Sequence, residues 1–92
     1  GMNKALRIRV CGRVQGVGFR YWALRAARNL SLSGWVRNED DGSVSAHCEG
    51  PAEDLSAFVA LLRQGPPGSR VDRVETREEP PRGDREGFSV VY

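Results

Sequence analysis

The chain has 92 residues and a formal net charge of +2, from 14 basic and 12 acidic side chains that are mixed along its length. This length predicts one small domain over residues 1–92, near the lower limit for a core without disulfides or metals. Because the basic residues form no block and no apolar run approaches the ~20 residues of a membrane span, neither nucleic acid nor membrane is an expected partner.

The amino end and the cysteines bear on the cellular compartment. Gly1 before Met2 is typical of a tag remnant, and the chain passes into a strand pattern without a signal peptide. A cytoplasmic protein is therefore expected. Cys11 and Cys48 have neither CxxC nor metal-ligand spacing, which predicts reduced thiols with a packing role. A disulfide between neighbouring strands is the alternative if the protein is exported.

The first predicted strand leads into a glycine-rich loop. Leu6, Ile8 and Val10 alternate with arginines at the period of a half-buried strand. Three glycines between residues 12 and 18 let the backbone curl, so that successive amides can point at one spot beside a helix start. Such a curl is typical of a phosphate site. The amides expected to form this cradle are those of Arg13, Val14, Gln15, Gly16, Val17 and Gly18.

Arg20 follows the loop at the start of a predicted helix. Its planar guanidinium can bind phosphate oxygens in pairs. The loop matches neither a P-loop, which ends in Gly-Lys-Ser/Thr, nor a dinucleotide fingerprint, which needs glycine where Tyr21 stands. The pattern therefore predicts a phosphate site without indicating ATP or NAD. The alternative is an ordinary strand-to-helix connection with an exposed arginine.

The middle of the chain predicts a helix and then a hairpin. Apolar residues between Phe19 and Leu30 recur on one helical face, and residues 32–39 form the next predicted strand. Asp41-Gly42 predicts a two-residue turn, because both positions accept a positive φ. On the return strand, His47 is expected to be solvated and to have no chemical role.

The last part of the chain predicts a second helix and two strands. Pro51 is expected at the first helical position, and residues 65–68 end the helix. Val71 and Val74 belong to a strand that their spacing makes irregular, and residues 88–92 form a short terminal strand. This order predicts an α+β, ferredoxin-like βαββαβ sandwich, with two helices on one face of a mainly antiparallel sheet.

The predicted fold leaves the function open. An RNA recognition module stacks bases on aromatic residues of its two central strands, and a copper chaperone needs paired cysteines in its first loop. The predicted central strands, residues 6–10 and 44–48, contain no aromatic residue, and only Cys11 lies near the loop. Both functions are therefore excluded on composition.

Asn38 is the second candidate site residue. It ends a predicted strand, where a side-chain amide can hold a water through its carbonyl and amino groups together. The alternative is a turn-forming asparagine before the hairpin. No Ser, Cys or His lies inside the loop, so phosphate chemistry there would use water and electrostatics without a covalent intermediate.

Two segments resemble the signatures of the acylphosphatase family. Gly12–Arg20 is similar to G-x-V-Q-G-V-x-F-R, and Gly34–Asn38 followed by Asp41-Gly42-x-Val44 is similar to the second signature. The likeness extends to Glu49-Gly50-Pro51 and to Phe88-x-Val90-x-Tyr92, and so covers nearly the whole chain. It implies a ferredoxin-like fold, hydrolysis of the carboxyl-phosphate bond of acyl phosphates, and no metal or organic cofactor.

The resemblance also implies roles for particular residues. Arg20 matches the family's substrate-binding arginine, Asn38 its water-orienting asparagine, and the loop amides its phosphate cradle. Ala23 stands where many relatives carry threonine, and Ser31 where glycine is frequent. The implied partner is a small acyl phosphate, bound by a monomer. A second hypothesis is a non-catalytic module that binds phosphate or carbamoyl phosphate.

Overall fold

The computed structural model describes residues 3–83 and 86–92, and the predicted tag remnant Gly1 lies outside the described residues. The predicted order of strands and helices is confirmed. Its elements are β1 (Asn3–Arg13), α1 (Phe19–Asn29), β2 (Ser33–Asn38), β3 (Val44–Pro51), α2 (Ala52–Gln64), β4 (Arg70–Glu79) and β5 (Phe88–Val90).

The strands form one five-stranded sheet in the order β4-β1-β3-β2-β5. β1 pairs antiparallel with β3 and β4, and β2 pairs antiparallel with β3. β5 joins β2 in parallel, with Gly34 opposite Phe88. The sheet is therefore mainly antiparallel with β1 and β3 at its centre, and with α1 and α2 it forms the predicted ferredoxin-like α+β fold.

One hydrophobic cluster fills the space between the sheet and the two helices. In α1 the buried residues are small apart from Phe19, so the helix lies close to the sheet, whereas α2 contributes larger side chains such as Phe58. The sequence predicts Pro51 at the first helical position, but the helix begins at Ala52 and Pro51 is its N-cap. With 11 and 13 residues, neither helix of the described chain is long and apolar enough to cross a membrane.

The hairpin between β2 and β3 is longer than predicted. The prediction of a two-residue turn at Asp41-Gly42 is wrong, because Glu39 N donates to Ser43 O at 2.9 Å and Gly42 N donates to Glu39 O at 3.2 Å. Residues 40–42 therefore form a three-residue loop, in which only Gly42 has a positive φ, of 93°. A turn followed by a left-handed glycine is the common closure of such hairpins.

An irregularity in β4 shapes the end of β1. Cys11 pairs with Arg73, but Gly12 pairs with Val71, so one extra residue of β4 bulges out of the ladder. This bulge confirms the irregular strand predicted from the valine spacing. Gly12 has φ 135°, and a Cβ there would overlap the carbonyl oxygen of Arg70. A glycine is therefore required where the strand turns towards the loop.

His47 is buried, and its predicted solvated position is wrong. The residue is 6% exposed and its ring stacks on Trp35, with ring centroids 6.3 Å apart. Nε2 lies 2.8 Å from a carboxylate oxygen of Glu49, and Nδ1 lies 3.1 Å from one of Glu79. Glu49 also accepts hydrogen bonds from the amides of residues 82–83. These contacts cover the helix-free face of the sheet at this point.

Candidate active site

The glycine-rich loop connects β1 to α1. Arg13, the first predicted cradle residue, is the last residue of β1 and is exposed, so the loop proper comprises residues 14–18. Val14 is 1% exposed, and Val17 packs against the hydrophobic cluster. The two valines anchor the loop to the core, and the backbone at Gly16 and Gly18 lies at the surface.

Two glycines give the loop its curl. Gly16 and Gly18 have φ values of 75° and 78°, in the left-handed region that glycine adopts without steric cost. Apart from the adjoining residues, no atom of the described chain lies within 4 Å of the place where a Cβ would stand on either glycine, so conformation and not space requires glycine. Within the described chain, the main-chain amides of residues 14–18 donate to no protein acceptor. Five neighbouring donors are therefore left for a ligand.

The start of α1 adds positive potential to the same place. Gly18 is the N-cap and has no side chain to satisfy the first amides, and the first closing bond runs from Trp22 N to Gly18 O at 3.0 Å. None of residues 19–22 is acidic. The partial positive charge of the helix start is thus uncompensated, as an anion site requires.

Gln15 connects the loop to the β2–β3 hairpin through its side chain. Its Nε2 donates to the carbonyl oxygen of Glu39 at 2.8 Å and to that of Ser43 at 2.9 Å. From the sequence, only the main-chain amide of Gln15 is expected to belong to the site. Because its partners are carbonyl groups 24 and 28 residues away, residue types could not have revealed this contact.

Arg20 is half-buried in the first turn of α1. Its guanidinium carbon lies 5.0 Å from the centroid of the Tyr92 ring, and no carboxylate of the described chain forms an ion pair with it. The charge of Arg20 is therefore free for an anion. Tyr92 also lies beside Tyr21, and the hydrogen bond that the Tyr21 hydroxyl donates to that of Tyr92 is the main cause that raises the pKa of Tyr21.

Asn38 is the last residue of β2, next to the hairpin that Gln15 contacts. Its side-chain oxygen Oδ1 is buried and has no hydrogen-bond partner among residues 3–83 and 86–92. An unpaired buried polar atom costs about 1–3 kcal/mol, so its presence in a folded protein suggests a functional role. An amide oxygen in this position can accept a hydrogen bond from a bound water.

Two contacts bring the predicted site residues to one end of the sheet. The Gln15 side chain joins the loop to Glu39, which directly follows Asn38. Val91 N donates to Val36 O at 2.9 Å and so carries Tyr92, the neighbour of Arg20, alongside the end of β2. The loop amides, the guanidinium and the Asn38 amide thus belong to a single region.

One of the two thiols is inert, and the described chain holds no group of potential metal ligands. Both cysteines are free thiols, as predicted. Burial raises the pKa of Cys48 to about 12, so that thiol is protonated and inert at neutral pH. In the part of the chain that the structure describes, no three His, Cys, Asp or Glu side chains form a group that could bind a metal. Ala23 is fully buried in the core.

Comparisons with known proteins show the family of this chain. The Acylphosphatase family model matches residues 6–90. The curated acylphosphatase of Thermococcus kodakarensis is 52% identical over 84 residues, which are 91% of each chain. The crystal structure of acylphosphatase from Bacillus subtilis has a TM-score of 0.94 at 43% identity, covering 99% of this chain and 100% of that one. The crystal structure of T. kodakarensis HypF has a TM-score of 0.84 at 40% identity, but the match covers only 12% of that chain.

Proposed function

The chain belongs to the acylphosphatase family and hydrolyses acyl phosphates, and we propose that Asn38 directs a water at a phosphate bound by the loop and Arg20. The observation that supports this proposal most is the row of five unpaired amides at residues 14–18, beside the uncompensated start of α1. These donors are fixed by the fold before any ligand binds.

The loop and Arg20 supply the binding energy for the phosphoryl group. A phosphate monoester group carries about two negative charges at neutral pH, and an acyl phosphate presents a similar set of terminal oxygens. The amides of residues 14–18 donate to these oxygens, and the guanidinium of Arg20 binds two of them at once. Because the donors are preorganised, they also stabilise the charge that shifts during the reaction.

The chemical step is a displacement at phosphorus. The oxygen of water forms a bond to phosphorus while the bond from phosphorus to the carboxyl oxygen breaks, and the carboxylate leaves with the electron pair. Oδ1 of Asn38 accepts a hydrogen bond from the attacking water and orients that water in line with the breaking bond. One proton of the water passes to a phosphoryl oxygen, so the products are a carboxylate and dihydrogen phosphate.

Steady-state hydrolysis of benzoyl phosphate, with phosphate binding measured in parallel, tests this division of roles. Arg20→Ala should lose nearly all activity and bind phosphate weakly. Asn38→Ala should lose turnover by ~10²–10³-fold, as for one preorganised polar group, yet still bind phosphate. Arg25→Ala, an exposed arginine of the same helix, is the matched control and should behave like the wild type. Full turnover in Asn38→Ala would refute the water-positioning role.

A module that binds phosphate or carbamoyl phosphate without turnover is the second candidate. It is considered because a similar fold also occurs as a segment that makes up 12% of the longer protein HypF. The same two measurements separate the candidates. Phosphate binding without hydrolysis of benzoyl phosphate supports the module, and hydrolysis that EDTA does not slow supports the metal-independent enzyme.

We propose that the protein is a monomer, that it lies in the cytoplasm, and that it binds neither nucleic acid nor membrane. The free thiols of Cys11 and Cys48 support a reducing compartment. Light scattering during size-exclusion chromatography should give the mass of one chain, 10.2 kDa. A mass of two or more chains would contradict the monomer.

A further inference from the structure

We infer that the side chain of Gln15 is a positioning device, which sets the phosphate loop at a fixed distance from Asn38. The inference rests on the proposed function, because it concerns how two parts of the proposed site are aligned. The loop amides bind the phosphate and the Asn38 amide orients the water. An in-line attack therefore needs a defined geometry between two elements that are far apart in the sequence.

The contacts of Gln15 make this link short. Both hydrogens of its Nε2 are used, one towards Glu39 O at 2.8 Å and the other towards Ser43 O at 2.9 Å. Glu39 directly follows Asn38. The path from the loop to Asn38 thus runs through one side chain and the backbone of Glu39, and the two hydrogen bonds fix two points of the hairpin at once.

The two carbonyl groups have other donors, so Gln15 is not needed to close the hairpin. Glu39 O also accepts from Gly42 N at 3.2 Å, and Ser43 O also accepts from Glu39 N at 2.9 Å. Removing the Gln15 amide therefore leaves neither of these two carbonyl groups unpaired. On the other side of the link, the buried side chain of Val14 keeps the loop attached to the core. Gln15 therefore fixes the position of the loop relative to the hairpin.

A second tether of the same hairpin offers a matched control. Arg9 forms an ion pair with Asp41 and donates from Nε to Ser43 Oγ at 3.3 Å. These contacts connect the hairpin to β1 and do not involve the loop. Arg9→Gln therefore loosens the hairpin without releasing the loop from it, whereas Gln15→Met keeps the length of the side chain and removes both loop-to-hairpin hydrogen bonds.

The first measurement compares kcat, KM and the phosphate dissociation constant. Because small misplacements in an active site reduce the rate strongly, Gln15→Met should lower kcat about tenfold. Its phosphate dissociation constant should stay within about twofold of the wild type, because the amides and the helix start remain in place. Arg9→Gln should retain the kcat of the wild type. A loss that appears only in phosphate affinity, or an equal loss of kcat in Arg9→Gln, would overturn the inference.

The decisive measurement is a double-mutant cycle with Asn38→Ala. If Gln15 acts by aligning the loop with Asn38, Gln15→Met should lower kcat in the wild type and have no further effect in Asn38→Ala. Equal losses in both backgrounds would indicate a general structural role and overturn the inference. If circular dichroism shows that Gln15→Met does not fold, Gln15→Asn, whose side chain is one methylene shorter, takes its place in the same cycle.

The cycle also separates the two proposals. Full turnover in Asn38→Ala refutes the water-positioning mechanism itself. Lost turnover in Asn38→Ala combined with unchanged turnover in Gln15→Met leaves that mechanism standing and refutes only the positioning role of Gln15.

Discussion

The guanidinium of Arg20 lies over the ring of Tyr92, 5.0 Å from its centroid. Val91 N donates to Val36 O, and this bond fixes the main chain just before Tyr92 against β2. A ring that covers one face of a guanidinium restricts its rotation and leaves the N–H groups at its edge free to bind an anion. Tyr92 thus supports the arginine that we propose to bind phosphate.

Replacement of Tyr92 should weaken phosphate binding by a small, measurable amount. An exposed cation–π contact is worth about 0.5–1 kcal/mol, so Tyr92→Leu should raise the phosphate dissociation constant about two- to fivefold. Tyr92→Phe keeps the ring and should bind phosphate like the wild type. In Tyr92→Phe the pKa of Tyr21 should fall towards its ordinary value of 10.0, because the neighbouring hydroxyl is gone. Isothermal titration calorimetry and ultraviolet pH titration measure the two effects, and unchanged affinity in Tyr92→Leu would contradict the first.

Ser31 should be the easiest position at which to stabilise the fold. It is the one described non-glycine residue with a positive φ, of 55°. Ser31 N donates to Arg28 O at 3.1 Å and Leu32 N to Ala27 O at 2.9 Å, which is the Schellman arrangement that ends many helices with glycine. A left-handed conformation costs a side-chain-bearing residue about 1–2 kcal/mol, so Ser31→Gly should raise stability by up to about 1 kcal/mol.

Thermal unfolding at neutral pH checks this prediction. For a domain of this size, about 1 kcal/mol corresponds to a rise of about 4–8 °C in Tm. Ser31→Ala is the control, because alanine pays the same steric cost and should bring no gain. A Tm for Ser31→Gly at or below that of the wild type would show that the serine is not strained.

Acid should destabilise the protein partly through Glu49. Burial alone would raise the pKa of Glu49. The hydrogen bonds from His47 and from the amides of residues 82–83, together with the charge of His47, lower the pKa by more, so it lies below its ordinary value of 4.5. A carboxyl group with a lowered pKa in the folded state stabilises the fold above its unfolded pKa, and this contribution is lost as the pH falls through the folded pKa.

Thermal unfolding between pH 7 and pH 3 tests the role of Glu49. At neutral pH, Glu49→Gln should unfold at a lower temperature than the wild type. The two curves should converge as the pH falls below 4.5 and through the lowered pKa of the folded state, where the wild-type carboxyl group gains its proton. Glu75→Gln, an exposed position on β4, is a suitable control and should follow the wild type. A constant difference at every pH would show that the charge of Glu49 is not responsible.

Local sequence patterns were sufficient for the elements and for the candidate loop. The alternation of Leu6, Ile8 and Val10, and the glycines before Phe19, depend only on near neighbours, so their structure could be predicted. His47 could not be placed, because its partner Glu79 lies 32 residues away and meets it only in the assembled sheet. The Asp41-Gly42 pair indicated a turn but not its length, which depends on the bond between Glu39 and Ser43.

The candidate site was predictable by residue type but not by arrangement. Arg20 and Asn38 were found from the loop, the strand end and the family resemblance. The tyrosine that covers Arg20, and the glutamine side chain that joins the loop to the hairpin, belong to contacts across the fold. Such contacts depend on how side chains from different elements meet across the fold, which no local pattern specifies.

The central claim is that the main-chain amides of residues 14–18 bind the phosphoryl group, and amide NMR during a phosphate titration tests it most directly. We expect the amide signals of these five residues to shift with a single dissociation constant in the wild type, and to shift far less at the same phosphate concentration in Arg20→Ala. Saturable shifts confined to other residues, with the loop amides unchanged, would contradict the account.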